Sequence, residues 1–170
     1  MTTSHPGPAT GAVISDPAVQ TALWFFGGLV QIRAAGAHTG GRFAVVEHTA
    51  RRGYTAPLHV HAADDETFLV IDGSLRVVCD SEEYLAEPGG LALLPRGSQH
   101  TFVVTSRDAR FLTLHHPAGF EDFLTEAGAP APELVAPLPL DGPPPPELAE
   151  ALAAAASRYG ITLIGPPLQP

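Results

Sequence analysis

Three of the chain's eight histidines stand in an ordered relation to one glutamate and a set of glycines. The order is Gly53, five residues, His59, one residue, His61, four residues, Glu66, six residues, Gly73; then Gly89, five residues, Pro95, one residue, Gly97, two residues, His100. Side chains two apart on a strand point to the same face, so His59 and His61 can converge on one ion. Glu66 has the opposite parity, but the turn-like run Ala63-Asp64-Asp65 can break the strand and bring the glutamate back on the next one. Gly73 then closes the hairpin behind it. A turn at Pro95-Arg96-Gly97 lets His100 enter from a neighbouring strand as a fourth donor. Three imidazoles and a carboxylate make a borderline site, suited to Fe, Ni, Mn, Co, Cu or Zn and unsuited to calcium, so one divalent transition metal per chain is expected. Four protein donors leave one or two octahedral positions open to an oxygen-donor substrate, to dioxygen, or to both. The bland alternative is that the same residues form a metal-free lining.

Positioning those donors requires strands. Up to about Pro117, glycine and proline punctuate short runs rich in Val, Leu, Phe and Thr, predicting strands at 29–34, 42–49, 57–61, 67–71, 75–79, 91–94, 100–105 and 110–115. That spacing suggests an antiparallel sandwich or barrel. Beyond it come a short helical segment at 119–127, a Pro/Ala/Leu stretch at 129–146 that should lie extended as a strap, and a helix at 147–158 that ends at Gly160. Its face of Leu148, Leu152 and Ala155 or Ala156 should pack on the barrel. The expected organisation is a flexible tail at 1–12, a barrel at 13–117, and a helical, Pro-rich extension at 118–170.

Alternation along these strands points Phe43, Phe68, Val70, Phe102, Phe111 and one of Leu91 and Leu93 toward the interior. An apolar pocket around one polar centre suits a planar phenolic, enol or polyketide-like small molecule better than a sugar phosphate. Of His115 and His116, alternation sends one inward, and His115 is assigned to the substrate pocket. His48, beside Arg51 and Arg52, reads as a solvated rim residue, His38 as part of a turn, and His5 as part of the tail. Cys79 reads as a buried small hydrophobe. Asp64 and Asp65 read as turn residues that could also shape the entrance.

The 170 residues carry nine arginines, no lysine and 18 acidic residues, a formal charge of -9. An acidic surface repels phosphate backbones and anionic lipid, so neither nucleic acid nor membrane is an expected partner. The lack of lysine excludes a Schiff base on this chain. Cys79 is the single cysteine, so no internal disulfide or CxxC pair exists. No basic, apolar leader precedes Gly11, and a cytoplasmic protein is expected.

The two spaced segments resemble both signature motifs of the cupin superfamily, matching at every position named above; Val104 departs from the asparagine that many members carry at the end of the second motif. The run 117–123, the Pro-rich strap and Arg158-Tyr159-Gly160-Ile161 are similar to the single-domain cupins related to quercetin 2,3-dioxygenase. The resemblance implies an all-β protein, a small antiparallel barrel of the double-stranded β-helix or jelly-roll type, with a metal held by His59, His61, Glu66 and His100. It also implies a metal-dependent dioxygenase acting on a flavonol-like or other enol or phenolic aromatic substrate, with Glu66 taking the substrate's proton. Two other functions stay open: a non-oxidative metal-dependent cyclase or isomerase tailoring a polyketide-like product, and a non-catalytic small-molecule-binding cupin. Exposed sheet edges and an apolar outer face lead to the expectation of a homodimer.

Overall fold

Alternating apolar and polar residues, cut by glycine and proline, become strands that pair antiparallel throughout. The computed structural model describes residues 11–138, 142 and 144–170. Its strands are β1 (Ala22–Phe25), β2 (Gly28–Ala34), β3 (Ala44–Arg51), β4 (Pro57–His61), β5 (Asp65–Asp72), β6 (Leu75–Cys79), β7 (Glu82–Ala86), β8 (Leu91–Leu94), β9 (Gln99–Val104), β10 (Asp108–His116), β11 (Ala129–Pro130) and β12 (Ile161–Pro167). The helices are α1 (Gly36–Thr39), α2 (Phe120–Ala127) and α3 (Pro146–Arg158). One sheet has the order β11-β1-β2-β3-β10-β5-β8 and the other β12-β4-β9-β6-β7. From β3 to β10 the chain passes repeatedly between the two sheets, which is the jelly-roll arrangement expected for a cupin.

The inner faces are set by period two. In β5 the buried positions are Glu66, Phe68 and Val70, and in β10 they are Ala109, Phe111, Thr113 and His115. Phe68, Val70, Phe111 and Leu94 from one sheet meet Leu75, Val77, Phe102 and Val104 from the other in a single core. A fully buried side chain of this size contributes roughly 1.5–3 kcal/mol. A second cluster lies where α2 and α3 cover the sheets, with Phe123, Leu124, Leu152, Ala155 and Ala156 against Val30, Val46 and Ile161. Leu148, expected on that buried face, is instead exposed.

Turn glycines hold the inner faces in register. Gly53, Gly73, Gly89 and Gly97 all have positive φ, between 80° and 90°. At Gly73 the requirement is double, because a Cβ there would also lie 2.3 Å from the Asp108 carbonyl oxygen.

Four elements escape the sequence pattern. β1 lies ahead of the first expected strand, β7 (EEYLA) is largely exposed and reads as polar loop, β12 contains two prolines, and α1 is one turn long. β12 matters most, since it pairs with β4 and puts Ile161 opposite His61 and Leu163 opposite His59. The last strand of the extension thereby completes the sheet that carries all three motif histidines. Within the strap, β11 pairs with β1, and the Trp24 indole donates to the Val135 carbonyl at 3.0 Å. Positions 1–10, including His5 and most of the expected tail, and 139–141 and 143 of the strap lie outside the described residues.

The structure corrects one inward and one outward assignment. Leu91 and Leu93 are exposed, because the inward register of β8 is carried by Ala92 and Leu94. His48 is buried, stacked on Phe111 with ring centroids 4.7 Å apart, and within hydrogen-bonding distance of Thr113 and Tyr54. Placing it at a solvated rim because of Arg51 and Arg52 overlooked the alternation of β3, which turns His48 in.

Candidate metal centre

The four motif donors come from three strands. His59 and His61 share the inner face of β4, His100 lies opposite His59 on β9, and Glu66 opens the inner face of β5 opposite His115 on β10. All four side chains are buried. The His59 and His61 Nε2 atoms are 3.2 Å apart, His100 Nε2 is 3.0 Å from Glu66 Oε2, and His61 Nε2 is 3.7 Å from the same oxygen. One ligand atom from each of the four lies within 4.8 Å of every other.

The far side of each imidazole fixes its tautomer. His59 Nδ1–H donates to the Pro57 carbonyl at 2.7 Å, His61 Nδ1–H to Asp64 Oδ1 at 3.0 Å, and His100 Nδ1–H to the Ser98 carbonyl at 3.1 Å. Each ring thus spends its proton outward and turns the Nε2 lone pair toward the cluster. Lone pairs and a carboxylate facing one another at 3.0–3.7 Å need a positive charge between them, from a ring proton or a metal ion. Donors about 2.0–2.2 Å from a common ion stand roughly 3–4 Å apart, so the spacing and the donor set both fit a transition metal.

The electrostatics agree with a site built to hold charge. Burial pushes the Glu66 carboxyl up, but the close approach of His100 and the nearby His115 and His61 outweigh it and hold it below the usual carboxylate range. Burial, helped by His100, lowers His59 to about 4. At His61 burial opposes the charged form, yet the hydrogen bond to Asp64 and the charges of Glu66 and Asp64 raise it.

The other expected pocket residues fall in different places. Phe68, Phe102 and Phe111 pack on one another with centroids 5.2–5.8 Å apart, alongside Val70, on the core side of the cluster. His115 is the inward member of its pair, fully buried with its Nε2 3.5 Å from Glu66 Oε1, while His116 is exposed. Phe43 stands apart from the cluster; half-buried just before β3, it lines a surface groove with Val13, His38 and Thr39. Cys79 is partly buried at the margin of the main core, opposite His100.

Sequence reasoning missed two important residues. Asp64, read as a turn residue that could shape the entrance, is buried behind His61, and Phe120 of α2 stacks on His115 at 3.9 Å with an interplanar angle of 15°. Both line a cavity of about 360 Å³ together with Ala63, Arg158, Tyr159 and Ile161. Asp64 stood in the sequence three residues after a donor histidine, which was a usable signal; Phe120 left none. Asp65, also read as a turn residue, is instead the first residue of β5, paired with Arg96 at 2.8–3.1 Å on the surface.

Residues 45–115 match the family model described as "Cupin domain". Together with the jelly roll and the spaced donors, this identifies residues 45–115 as a cupin domain. Over 82 residues it is 35% identical to the quercetin 2,3-dioxygenase of Bacillus subtilis, a stretch that is 48% of this chain and 24% of that protein. The chain therefore matches only about a quarter of the length of that curated relative. Among solved structures it resembles an RmlC-like cupin from Shewanella frigidimarina (TM-score 0.56, 17% identity, 66% of this chain and 96% of that one). It also resembles a Streptomyces nucleoside dehydratase (TM-score 0.55, 14% identity, 66% of this chain and 88% of that one). At these identities the structural likeness establishes the fold alone.

Proposed function

We propose that the protein is a metal-dependent dioxygenase of quercetinase type, acting on a flavonol-like or other enol or phenolic aromatic substrate. The observation that carries this reading is the convergence of three Nε2 lone pairs and the Glu66 carboxylate in one buried cluster, each imidazole held from behind in the tautomer that ligation requires. The 35% identity to a quercetin 2,3-dioxygenase supports the choice among cupin chemistries. His59, His61, Glu66 and His100 would hold one divalent ion. When bound, such an ion supplies Lewis acidity toward a substrate oxygen and an open position for dioxygen.

The remaining steps belong to side chains. Glu66 accepts the proton of the substrate's enol or phenol, a transfer assisted by the low proton affinity of the substrate oxygen at such a centre and by the short reach of a buried carboxylate. The substrate enters through the cavity beside Asp64 and Phe120, where Phe120 and Tyr159 offer aromatic surface to a planar ring. Phe68, Phe102 and Phe111 exclude water from the opposite side.

The chain is proposed to act as a homodimer. On the outer face of the seven-stranded sheet, Leu93, Thr67, Leu114 and Val45 line up across four strands, with Leu91, Leu69 and Leu112 in the next row. Leu91 and Leu93 are 56% and 69% exposed on the edge strand β8. A second copy covers both the apolar rows and the open edge.

The deciding experiment is metal analysis of the purified protein followed by oxygen uptake over a panel of flavonols and related enols. Consumption of one dioxygen per substrate opened is expected. Conversion without oxygen uptake would establish the non-oxidative tailoring reading instead, and tight binding with no conversion the binding-protein reading.

A further inference from the structure

Behind the four donors lies a second buried group that the proposed reaction does not use. Asp64 accepts two hydrogen bonds from imidazoles: His61 Nδ1 is 3.0 Å from Oδ1, and His115 Nδ1 is 2.8 Å from Oδ2. Both rings are at most 1% exposed and the carboxylate 7%. Its two oxygens are thus shared between a donor to the proposed ion and the imidazole that borders Glu66.

For a neutral His115 the shorter contacts set one direction, leaving its Nε2 as an acceptor 3.5 Å from Glu66 Oε1. If His115 gives its Nδ1 proton to Asp64, its Nε2 must accept, and Thr113 Oγ1 lies 3.1 Å away to donate. The Thr113 hydroxyl has a single proton, so toward His48 Nε2, at 3.2 Å, it must be the acceptor. His48 then carries its proton on Nε2 and offers Nδ1 to the Tyr54 hydroxyl at 3.4 Å. Tyr54 donates to His48, His48 to Thr113, Thr113 to His115, and His115 to Asp64. Reversing the order would set the bare His115 Nδ1 against a carboxylate, two acceptors in contact in a dry interior. The chain ends at Asp64, which His61 enters from the other side.

We propose that Asp64 is the positioning residue of this centre, a single buried carboxylate that fixes the tautomer and ring plane of both His61 and His115. The proposal rests on the reading of His59, His61, Glu66 and His100 as a metal site for its effect on affinity, but not for its effect on tautomers. Carboxylates behind ligating imidazoles act in this way, and their loss typically weakens metal binding about 10- to 100-fold. Here the same carboxylate also sets the imidazole against Phe120, whose ring closes the other face of His115. Asp64 lines the cavity as well, so a substituent bound there lies against the group that orders the site.

The test uses Asp64→Asn, which keeps the shape but offers one acceptor and one donor, so that only one imidazole can keep its Nδ1–H bond. Nitrogen NMR of the metal-free wild type is expected to show His61 and His115 both protonated on Nδ1, with one of them moved to Nε2–H in the variant. Chelator competition with zinc is expected to give one ion per chain in both proteins and a dissociation constant 10- to 100-fold higher in the variant, with Asp64→Glu recovering part of the loss. Either ring found as Nε2–H in the wild type overturns the proposal, and needs no variant to fold. So does a variant affinity within about threefold of wild type, or two ions per wild-type chain with one lost in the variant, which would make His61, Asp64 and His115 a cation site of their own. If zinc fails to bind the wild type while the tautomers stand as stated, it is the metal reading that fails and not this one.

Discussion

Glu66 is asked to do two things, hold an ion and take a proton, and its surroundings let these be separated. It lies between His100 and His61, which help to hold the ionised form, and opposite His115 across the β5–β10 pair. In Glu66→Gln three imidazoles remain and the amide oxygen is a weak donor, so part of the metal should stay bound. The amide has no useful basicity. Turnover per bound ion is therefore expected to fall by about 10²- to 10⁴-fold, the usual contribution of a general base. The measurement is steady-state turnover normalised to metal content. A normalised rate within a factor of about three of wild type would mean that the proton goes elsewhere, with His115 the next group in reach.

At the scale of elements, the β3–β10 pair brings His48 against Phe111 in a dry interior, and this makes the pairing sensitive to acid. Burial lowers His48 to about 3, partly offset by the charge of Glu66, against 6.5 in the unfolded chain. Between those values the unfolded chain binds a proton that the folded chain refuses. The stability associated with His48 is therefore complete above about pH 6.5 and drains away as pH falls toward 3, at a limiting slope of about 1.4 kcal/mol per pH unit. His59, lowered to about 4, acts in the same direction, but equally in wild type and in a His48 variant. His48→Gln can still hydrogen-bond to Thr113 and does not titrate. Urea unfolding at pH 7, 6 and 5 should show wild-type stability falling more steeply than that of His48→Gln, and parallel lines would count against a buried, neutral His48.

At the scale of the whole molecule, an apolar outer sheet and an open edge at β8 are features that a second copy can cover. Light scattering at micromolar concentration is expected to give about twice the 17.7 kDa chain mass. The double substitution Leu91→Glu/Leu93→Glu, placing two charges on the apolar rows, is expected to return the mass to a single chain while leaving metal content unchanged. A wild-type mass near 17.7 kDa would refute the dimer directly.

The sequence by itself determined the strands with clear period two and their turns, because a strand's side chains alternate whatever it packs against, and glycines such as Gly73 mark the left-handed bends. It also determined which four donors stand together, since three short strands joined by turns of fixed length carry them. Tertiary structure decided what no local pattern encodes. β12 has prolines and little alternation, and is a strand because β4 offers it an edge. Leu91 and Leu93 face out because a strand of four residues gives too short a pattern to fix its own register. His48 reads as a solvated rim residue and Asp64 as a turn residue; they are buried because Thr113 and His115 of the distant strand β10, with Tyr54 of the turn after β3, complete their hydrogen bonds. Whether a polar side chain is inside depends on who meets it there, and those partners are 51 to 65 residues away for Asp64 with His115 and His48 with Thr113.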